Sequence, residues 1–432
     1  MAIADGAAPA ALETRAYRKV TLRLLPFLML CYVAAYLDRV NVGFAKLEML
    51  GDLGFSETTY GLGAGMFFIG YFLFEVPSNI ILHRVGARLW IGRIMITWGL
   101  VSALFMFTKT PLMFYSLRFA LGLAEAGFFP GIILYLTYWY PSERRARMIS
   151  LFMTAIPISG MLGGPLSGWI MQSMEGVNNW RGWQWLFVIE ALPAVVLGVV
   201  TLFYLDDSIR SAKWLTLEEK ALLDRKLDGD RAHVVEHPTL GAVFADRRLW
   251  RMCLIYFCCV IGQYGLTFWL PTLVQQAGVS GALEIGFLTA VPYTGGVVAM
   301  ILFGRSADRR RERRWHTAIP MVIGAIGLTL SAAAGTHTAT AILCLTVAAA
   351  GILTCAPLFW SLPTALLSGT AAAAGIAAIN SVGNLAGFVS PYLVGWLKDV
   401  TSSTEAGMFL VSAALVFGAF VVLSVPPKLV NR

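Results

Sequence analysis

Residues 22–45 read LRLLPFLMLCYVAAYLDRVNVGFA, an almost uninterrupted apolar segment. An α-helix rises about 1.5 Å per residue, so a run of this length can cross the roughly 30 Å hydrocarbon core of a bilayer. A strand of a membrane barrel would instead alternate in polarity. The run is too long for a signal peptide, and it carries Asp38-Arg39. It therefore predicts a helix that spans a membrane.

Further runs of the same kind follow, and together they predict an all-α membrane protein with twelve transmembrane helices. The runs are 22–45, 60–82, 89–108, 111–138, 149–172, 184–205, 251–273, 284–304, 316–334, 338–360, 371–396 and 406–426. The composition agrees, because only 13% of the residues are charged, against about 25% in soluble proteins. The six Cys lie within the runs without metal-ligand spacing, so we expect no metal site, and no motif indicates a cofactor.

Basic residues fall almost entirely on one side of the predicted helices. With the N-terminus in the cytoplasm, 27 of the 33 Lys and Arg residues lie in cytoplasmic tails and loops and four in external loops. Cytoplasmic loops of membrane proteins carry such an excess. The asymmetry predicts that both termini are cytoplasmic. It also explains the net charge of +8 by basic loops that face anionic lipid, without a nucleic-acid partner.

The longest hydrophilic stretch divides the chain in two. It predicts an N-terminal six-helix half at 1–205, a cytoplasmic linker at 206–250 and a C-terminal six-helix half at 251–432. Within the linker, Thr216-Leu217-Glu218-Glu219 has the pattern of a capping box, in which Thr and Glu satisfy each other's backbone N–H groups. This pattern predicts a short surface helix.

The two halves look duplicated. An offset of 225 residues superposes Arg84 on Arg309 and Arg88 on Arg313. Pseudo-symmetric halves are typical of secondary transporters, which bind their substrate between the halves near the middle of the membrane.

The same offset maps Asp38 on Gln263 and Arg39 on Tyr264. The charges within the spans are therefore concentrated in the N-terminal half. We expect the C-terminal half to contribute neutral polar and aromatic contacts.

Two arginines lie within predicted spans at matching depth. Arg39 precedes Lys46, at the external end of the first span, by seven residues, and Arg118 follows Pro111, at the external end of the fourth, by seven. Both therefore lie about 10 Å below the external boundary. A guanidinium stays protonated even when desolvated, and its planar fork binds a carboxylate through two hydrogen bonds. The pair predicts a binding site for an organic anion.

Two carboxylates accompany these arginines. Asp38 adjoins Arg39, and Glu125 follows Arg118 by seven residues, or nearly two helical turns. Buried carboxylates can exchange protons near neutral pH, so Asp38 and Glu125 are the leading candidates for proton carriers. The alternative is that Asp38–Arg118 or Glu125–Arg39 are structural ion pairs. Glu75, near the internal end of the second span, is expected to lie at the membrane interface or to make a helix contact instead.

The loop after the eighth span carries a recognisable motif. Gly304-Arg305-Ser306-Ala307-Asp308-Arg309 is similar to the signature of the major facilitator superfamily, in which Gly and three residues precede Asp-Arg. The first half has a weaker copy, with His83 in place of the Asp. The chain resembles this superfamily over its whole length, which implies the major facilitator fold and a monomer. It also implies a conformational gating role for the motif residues Arg84, Gly86, Arg88, Gly304, Asp308 and Arg309.

Within the superfamily the chain is similar to the anion:cation symporters. The similarity lies in residues 36–45, 118–131 and 183–187. It implies a bacterial inner-membrane protein that takes up a small organic carboxylate, such as tartrate, 4-hydroxyphenylacetate or a sugar acid, with protons. It also implies that the two arginines bind the carboxylate and that the two carboxylates couple protons. Four further residues match cavity positions of sugar-acid permeases: Tyr36, Tyr71, Trp360 and Asn380.

Two alternatives remain open. Gly160, Gly164, Pro165 and Gly168 resemble the antiporter motif of drug-efflux members, although Trp169 stands where a final Gly is usual. A proton-coupled efflux antiporter is therefore the second interpretation. The third is a substrate sensor or membrane enzyme built on a transporter scaffold. It is less favoured, because the sequence contains no appended signalling domain, nucleophile elbow, zinc helix or phosphate loop.

Overall fold

The structure, a computed structural model, describes residues 4–231, 245–366 and 369–427. Within these ranges all regular secondary structure is helical. The α-helices are α1 (Ala4–Leu53), α2 (Glu57–Val85), α3 (Ala87–Ala103), α4 (Pro111–Glu125), α5 (Phe128–Thr137), α6 (Ser142–Met153), α7 (Ala155–Met174), α8 (Gly182–Tyr204), α9 (Leu217–Arg231), α10 (Arg247–Gln276), α11 (Ala282–Arg310), α12 (Arg314–Ala333), α13 (Thr338–Phe359), α14 (Ser361–Leu366), α15 (Gly369–Thr401) and α16 (Glu405–Leu423).

The helices match the predicted apolar runs. In the part of the chain that the structure describes, 11 helical segments are long and apolar enough to cross a membrane. The 33-residue helix α15 occupies the remaining run, the predicted eleventh span. The all-α membrane fold with twelve spans is therefore confirmed.

Two of the spans contain a break that the apolar pattern did not reveal. The fourth span divides into α4 and α5 at Gly127, whose φ of 86° is left-handed. A Cβ at this position would collide with the Ser78 side chain, so both the backbone and the packing require glycine. The fifth span is interrupted at Thr154, where α6 ends and α7 begins. The hydrophobicity of a segment indicates that it crosses a membrane, but it does not indicate where the helix axis bends.

The two halves meet along two seams. The α2–α15 seam pairs the second span of one half with the fifth of the other, and the α7–α11 seam does the reverse. This exchange is what a two-fold pseudo-symmetric arrangement requires. Glycines allow the two helices of each seam to approach closely. Gly61 of α2 lies against the Pro391 carbonyl of α15, and Gly164 of α7 lies against Gly286 of α11. A side chain at either glycine would force the halves apart.

The linker helix α9 is anchored to the start of α1. It begins at the capping box, where Thr216 N donates to Glu219 Oε2 at 3.0 Å and Glu219 N donates to Thr216 Oγ1 at 3.2 Å. Glu219 also forms ion pairs with Arg15 and Lys19. Burial raises the pKa of Glu219, but the hydrogen bonds outweigh it and lower the pKa to about 2. We call this side of the bundle the linker end; linker residues 232–244 lie outside the described ranges.

A polar cluster closes the opposite side, which we call the far end. Lys46 forms an ion pair with Glu57 at 2.8 Å and donates to Thr272 Oγ1, in the other half, at 3.1 Å. The Lys46 ammonium also lies 3.4 Å from the centre of the Trp269 ring. Lys398, again from the other half, forms a second ion pair with Glu57. These contacts hold the halves together at the far end.

The α2–α15 seam also carries a polar contact toward the linker end, where Asn380 Nδ2 donates to Glu75 Oε1 at 2.8 Å. The described conformation is therefore closed at the far end by the Lys46 cluster.

Candidate functional site

Arg39 lies in the last third of α1, where it reaches both halves. Its guanidinium forms an ion pair with Glu125, the last residue of α4, and donates to Tyr264 Oη of α10 at 3.3 Å. Arg39 is 8% exposed, and Glu125 Oε2 is buried without a hydrogen-bond partner. Of the two ion pairs considered from the sequence, Glu125–Arg39 is thus present. It is connected to the C-terminal half through Tyr264.

Contacts between α1 and α10 follow the offset of the internal repeat. Arg39 and Tyr264 are 225 residues apart, and Gln263 Nε2 donates to Tyr36 Oη, 227 residues away, at 3.5 Å. Positions that correspond by duplication therefore face each other, so the pseudo-two-fold axis passes between α1 and α10. Tyr264, the neutral counterpart of Arg39, lies directly across from it, whereas Gln263, the counterpart of Asp38, contacts Tyr36.

Asp38 points away from Arg39, into the N-terminal half. Its two oxygens accept hydrogen bonds from Trp98 Nε1 at 3.0 Å and Ser102 Oγ at 2.9 Å, both on α3. Adjacent residues on a helix project about 100° apart, so Asp38 and Arg39 cannot face the same surface. An Asp38–Arg118 ion pair, considered from the sequence, is not among the ion pairs of the described residues, because Asp38 is turned toward α3.

Arg118 is fully buried between α4 and α2. Its guanidinium donates to the carbonyls of Gly63 at 3.4 Å and Ala64 at 3.2 Å. The centre of the Phe67 ring is 5.2 Å from Arg118 Cζ and 5.1 Å from Arg39 Cζ. The two guanidinium groups therefore lie on one aromatic ring and within about 10 Å of each other. Both positive charges face a protein interior of low dielectric, where their attraction for an anion is strong.

The other predicted cavity residues are divided between the halves. Tyr36 and Tyr71 lie near Arg39, with the centre of the Tyr71 ring 5.6 Å from Arg39 Cζ. Trp360 belongs to the C-terminal half, and its ring is 4.9 Å from that of Tyr256. The structure thus supplies aromatic surface from both sides of the interface.

Asn380 leads to a residue that the sequence analysis did not include in the site. Asn380 Nδ2 donates to Glu75 Oε1 across the α2–α15 seam at 2.8 Å. Glu75 lies one helical turn beyond Tyr71, toward the linker end. The sequence feature that could have identified Glu75 as a site residue is that it is a carboxylate within an apolar run. Its position near the end of that run made a helix contact the simpler interpretation.

A small cavity lies between the halves. It has a volume of about 10 Å³ between α1, α7, α10 and α11 and is lined by Val40, Gly160, Thr267 and Tyr293 among others. This volume accommodates about one water molecule. A larger molecule can therefore bind at this position only if the halves separate.

The motif residues lie at the linker end, away from the arginines. Gly86, with φ of 92°, joins α2 to α3, and Arg88 N donates to Asp207 Oδ1 at 2.8 Å. Asp207, which follows α8, thus supplies a carboxylate where the first motif copy lacks its Asp. Arg84 and Arg309 are exposed, Gly304 is partly buried in α11, and the Asp308 side chain lies outside the described residues.

Comparison with known proteins reveals close relatives. The profile of the family described as Major Facilitator Superfamily matches residues 28–391. A provisionally named tartrate transporter of Agrobacterium vitis is 50% identical, over 97% of this chain and 93% of the relative. The provisionally named metabolite transport protein NicT of Pseudomonas putida is 48% identical, over 96% of this chain and 95% of the relative. These relatives match along nearly their whole length.

A protein of Acinetobacter baumannii named as a quinolone resistance transporter is also similar, at 42% identity over 96% of each chain. Among solved structures, the D-xylose-proton symporter has a TM-score of 0.73 at 16% identity and covers 94% of this chain and 98% of its own. At that identity the likeness concerns the fold alone.

Proposed function

The chain belongs to the major facilitator superfamily, and we propose that it carries a small organic carboxylate into the cell together with protons. It is a multi-pass membrane transporter, and its bacterial relatives indicate the inner membrane. The observation that carries the proposal is the buried Arg39–Glu125 ion pair, which lies between the halves beside Tyr264.

This ion pair makes anion binding and proton binding mutually dependent. Glu125 already occupies the guanidinium fork that a substrate carboxylate needs, so the two acids compete for Arg39. Protonation removes the negative charge of Glu125 and releases Arg39 for the substrate. Arg118, which has only carbonyls and aromatic rings as described partners, adds a positive charge within about 10 Å. Asp38, bound by neutral donors on α3, is a second candidate proton site.

Movement of the halves would complete the cycle. In the described conformation the Lys46 cluster holds the halves together at the far end. With the linker end in the cytoplasm, as the basic residues predict, this cluster closes the external side. Loading from outside then requires the far-end contacts to break and the linker end to close, which is alternating access.

The test is uptake by purified protein in proteoliposomes. Labelled tartrate, 4-hydroxyphenylacetate and D-galactonate are offered with the external side more acidic. We expect one or more of the acids to accumulate only when the gradient is present. Arg39→Ala should abolish this uptake, whereas the control Arg144→Ala, which alters a surface ion pair with Glu13, should retain it. Failure of all three acids to enter would contradict the proposal, and binding without entry would favour a sensor.

Efflux is the second candidate, supported by the relative named as a quinolone resistance transporter. The glycine pattern that suggested it has another explanation in the structure. Gly160 packs against the Tyr293 ring, Gly164 against Gly286 and Gly168 against Ala282, so these glycines bring α7 and α11 together. To compare import with export, vesicles are loaded with the acid or with a quinolone and the pH gradient is reversed. Faster export of a quinolone than import of any acid would favour efflux.

A further inference from the structure

We propose that Arg93, on the lipid-facing surface of α3, binds the phosphate of an anionic phospholipid at the linker end of the bundle. The site is separate from the space between the halves, and the inference does not depend on the proposed function. It rests on the position of this arginine in a stripe of apolar side chains, on its contacts, and on a matching stripe in the other half.

The outward surface of the third span is a stripe of side chains at the spacing of a helix face. Its members lie four, three, four and four residues apart and are Leu89, Arg93, Ile96, Leu100 and Leu104. The three leucines are between 46% and 56% exposed, and Arg93 is partly exposed, whereas another face of α3 packs on α8. Because this helix spans the membrane, a stripe that no other helix covers faces lipid.

The C-terminal half repeats this stripe without the charge. Its members, again four, three, four and four residues apart and each between 38% and 52% exposed, are Trp315, Ile319, Val322, Ile326 and Leu330 of α12. Ile319 thus occupies the position in this stripe that Arg93 has in α3. A charged side chain within a span usually faces the interior of the bundle, because contact with hydrocarbon is costly. Arg93 therefore requires a compensating group at the lipid surface.

No ion pair engages Arg93 in the part of the chain that the structure describes. Its guanidinium lies on the Trp90 ring, with Arg93 Cζ 3.8 Å from the ring centre, and its Nε is buried without a hydrogen-bond partner. The ring is fixed in turn, because Trp90 Nε1 donates to Ser78 Oγ at 3.0 Å. An aromatic ring attracts the guanidinium and holds it in place, but it does not neutralise the charge.

The depth of Arg93 in the membrane suits a phospholipid headgroup. Arg93 follows Ala87, the first residue of α3 at the linker end, by six residues, or about 9 Å along the helix axis. An arginine this close to the end of a span can extend its guanidinium to the headgroup region, where Trp rings are also favoured. There the planar fork of the guanidinium matches two oxygens of a phosphate.

The surrounding charge favours an anionic lipid over a zwitterionic one. Residues 83–93 contain Arg84, Arg88 and Arg93 and no acidic residue. Asp207, which contacts the start of α3, already accepts a hydrogen bond from Arg88 N at 2.8 Å. The ammonium group of phosphatidylethanolamine would enter this positive environment, whereas phosphatidylglycerol has the phosphate without an ammonium group.

Native mass spectrometry of the purified protein tests this preference. Phosphatidylglycerol and phosphatidylethanolamine with the same acyl chains are titrated against the wild type, Arg93→Ile and Arg93→Gln. Arg93→Ile gives α3 the residue that α12 carries in its own stripe. For the first lipid bound, we expect the wild type to prefer phosphatidylglycerol by about fivefold or more. Both neutral variants should reduce the preference to less than about twofold, so either one suffices if the other is not monodisperse.

The matched control is Arg144→Ala, which removes another linker-end arginine, one that forms a surface ion pair with Glu13. It should keep the wild-type preference. Equal binding of the two lipids by the wild type overturns the inference, as does an unchanged preference in the neutral variants. Equal loss of the preference in Arg144→Ala also overturns it, because the attraction would then be spread over the basic surface. Displacement of the lipid by millimolar inorganic phosphate, in an Arg93-dependent manner, would assign the site to a free anion instead.

Discussion

Replacement of Glu125 by Gln tests the link between the proton and the substrate. Gln has the shape of a protonated Glu, so the variant keeps a carbonyl acceptor for Arg39 but lacks the charge that competes with the substrate. Arg39 keeps its bond to Tyr264 at 3.3 Å and the Phe67 and Tyr71 rings. We therefore expect Glu125→Gln to fold and to bind the acid.

The magnitudes follow from linkage. If one proton must join Glu125 before the anion can take Arg39, the wild-type Kd rises about tenfold per pH unit over the range in which Glu125 ionises. The variant has nothing to protonate there, so its Kd should be independent of pH. One pH unit stores about 1.4 kcal/mol per proton, which drives accumulation of up to about tenfold for each coupled proton. The variant's accumulation ratio should fall to about one.

The assay combines calorimetric binding from pH 5 to 8 with uptake and exchange in proteoliposomes. Glu125→Gln should exchange labelled for unlabelled acid across the bilayer while failing to concentrate it on a pH gradient. Glu190→Gln serves as control, because Glu190 is equally buried but bonded to Ser167, and it should keep the wild-type slope. If Glu125→Gln still concentrates the acid, or keeps a tenfold change in Kd per pH unit, Glu125 is not the coupling residue.

Three shorter predictions concern binding, the seams and the linker. Arg118→Ala should lower uptake by more than about tenfold while the purified protein remains monodisperse, because it removes a buried positive charge near the substrate; unchanged uptake would contradict this role. Gly164→Ala should destabilise the closed far end by about 1–3 kcal/mol, because even a methyl group at this position collides with Gly286. Thiol labelling of a cysteine placed at the far end should therefore increase. The control Gly51→Ala should have no effect, because the space around Gly51 is open. The pKa of Glu219 is lowered to about 2 from 4.5, so its ion pairs stabilise the attachment of α9 to α1 fully above pH 4.5, and the stabilisation is lost as the pH falls toward 2. The protection of α9 amides against hydrogen exchange, corrected for the intrinsic effect of pH on exchange, should fall over that range in the wild type. It should fall less in Glu219→Gln, where the Lys226–Glu13 ion pair is the remaining acid-sensitive contact between these helices that the structure describes.

The sequence was sufficient for properties that depend on neighbouring residues. Whether a segment crosses a bilayer depends on its own length and apolarity. The duplication was visible as an offset of 225 residues, and Tyr264, the residue that this offset maps on Arg39, is the one that Arg39 contacts in the structure. The capping box of α9 was readable because its two residues are three positions apart.

The pairing of the buried charges needed the tertiary structure. Arg39 and Glu125 are 86 residues apart, and Glu75 and Asn380 are 305 apart, so no local pattern could join them. The ion pairs Asp38–Arg118 and Glu125–Arg39 were both compatible with the spacing of charges along each helix. The rotation of α1 decided between them, since it turns Arg39 toward α10 and Asp38 toward Trp98. A helix carries its side chains about 100° apart, and only its packing against other helices determines which of them faces the space between the halves.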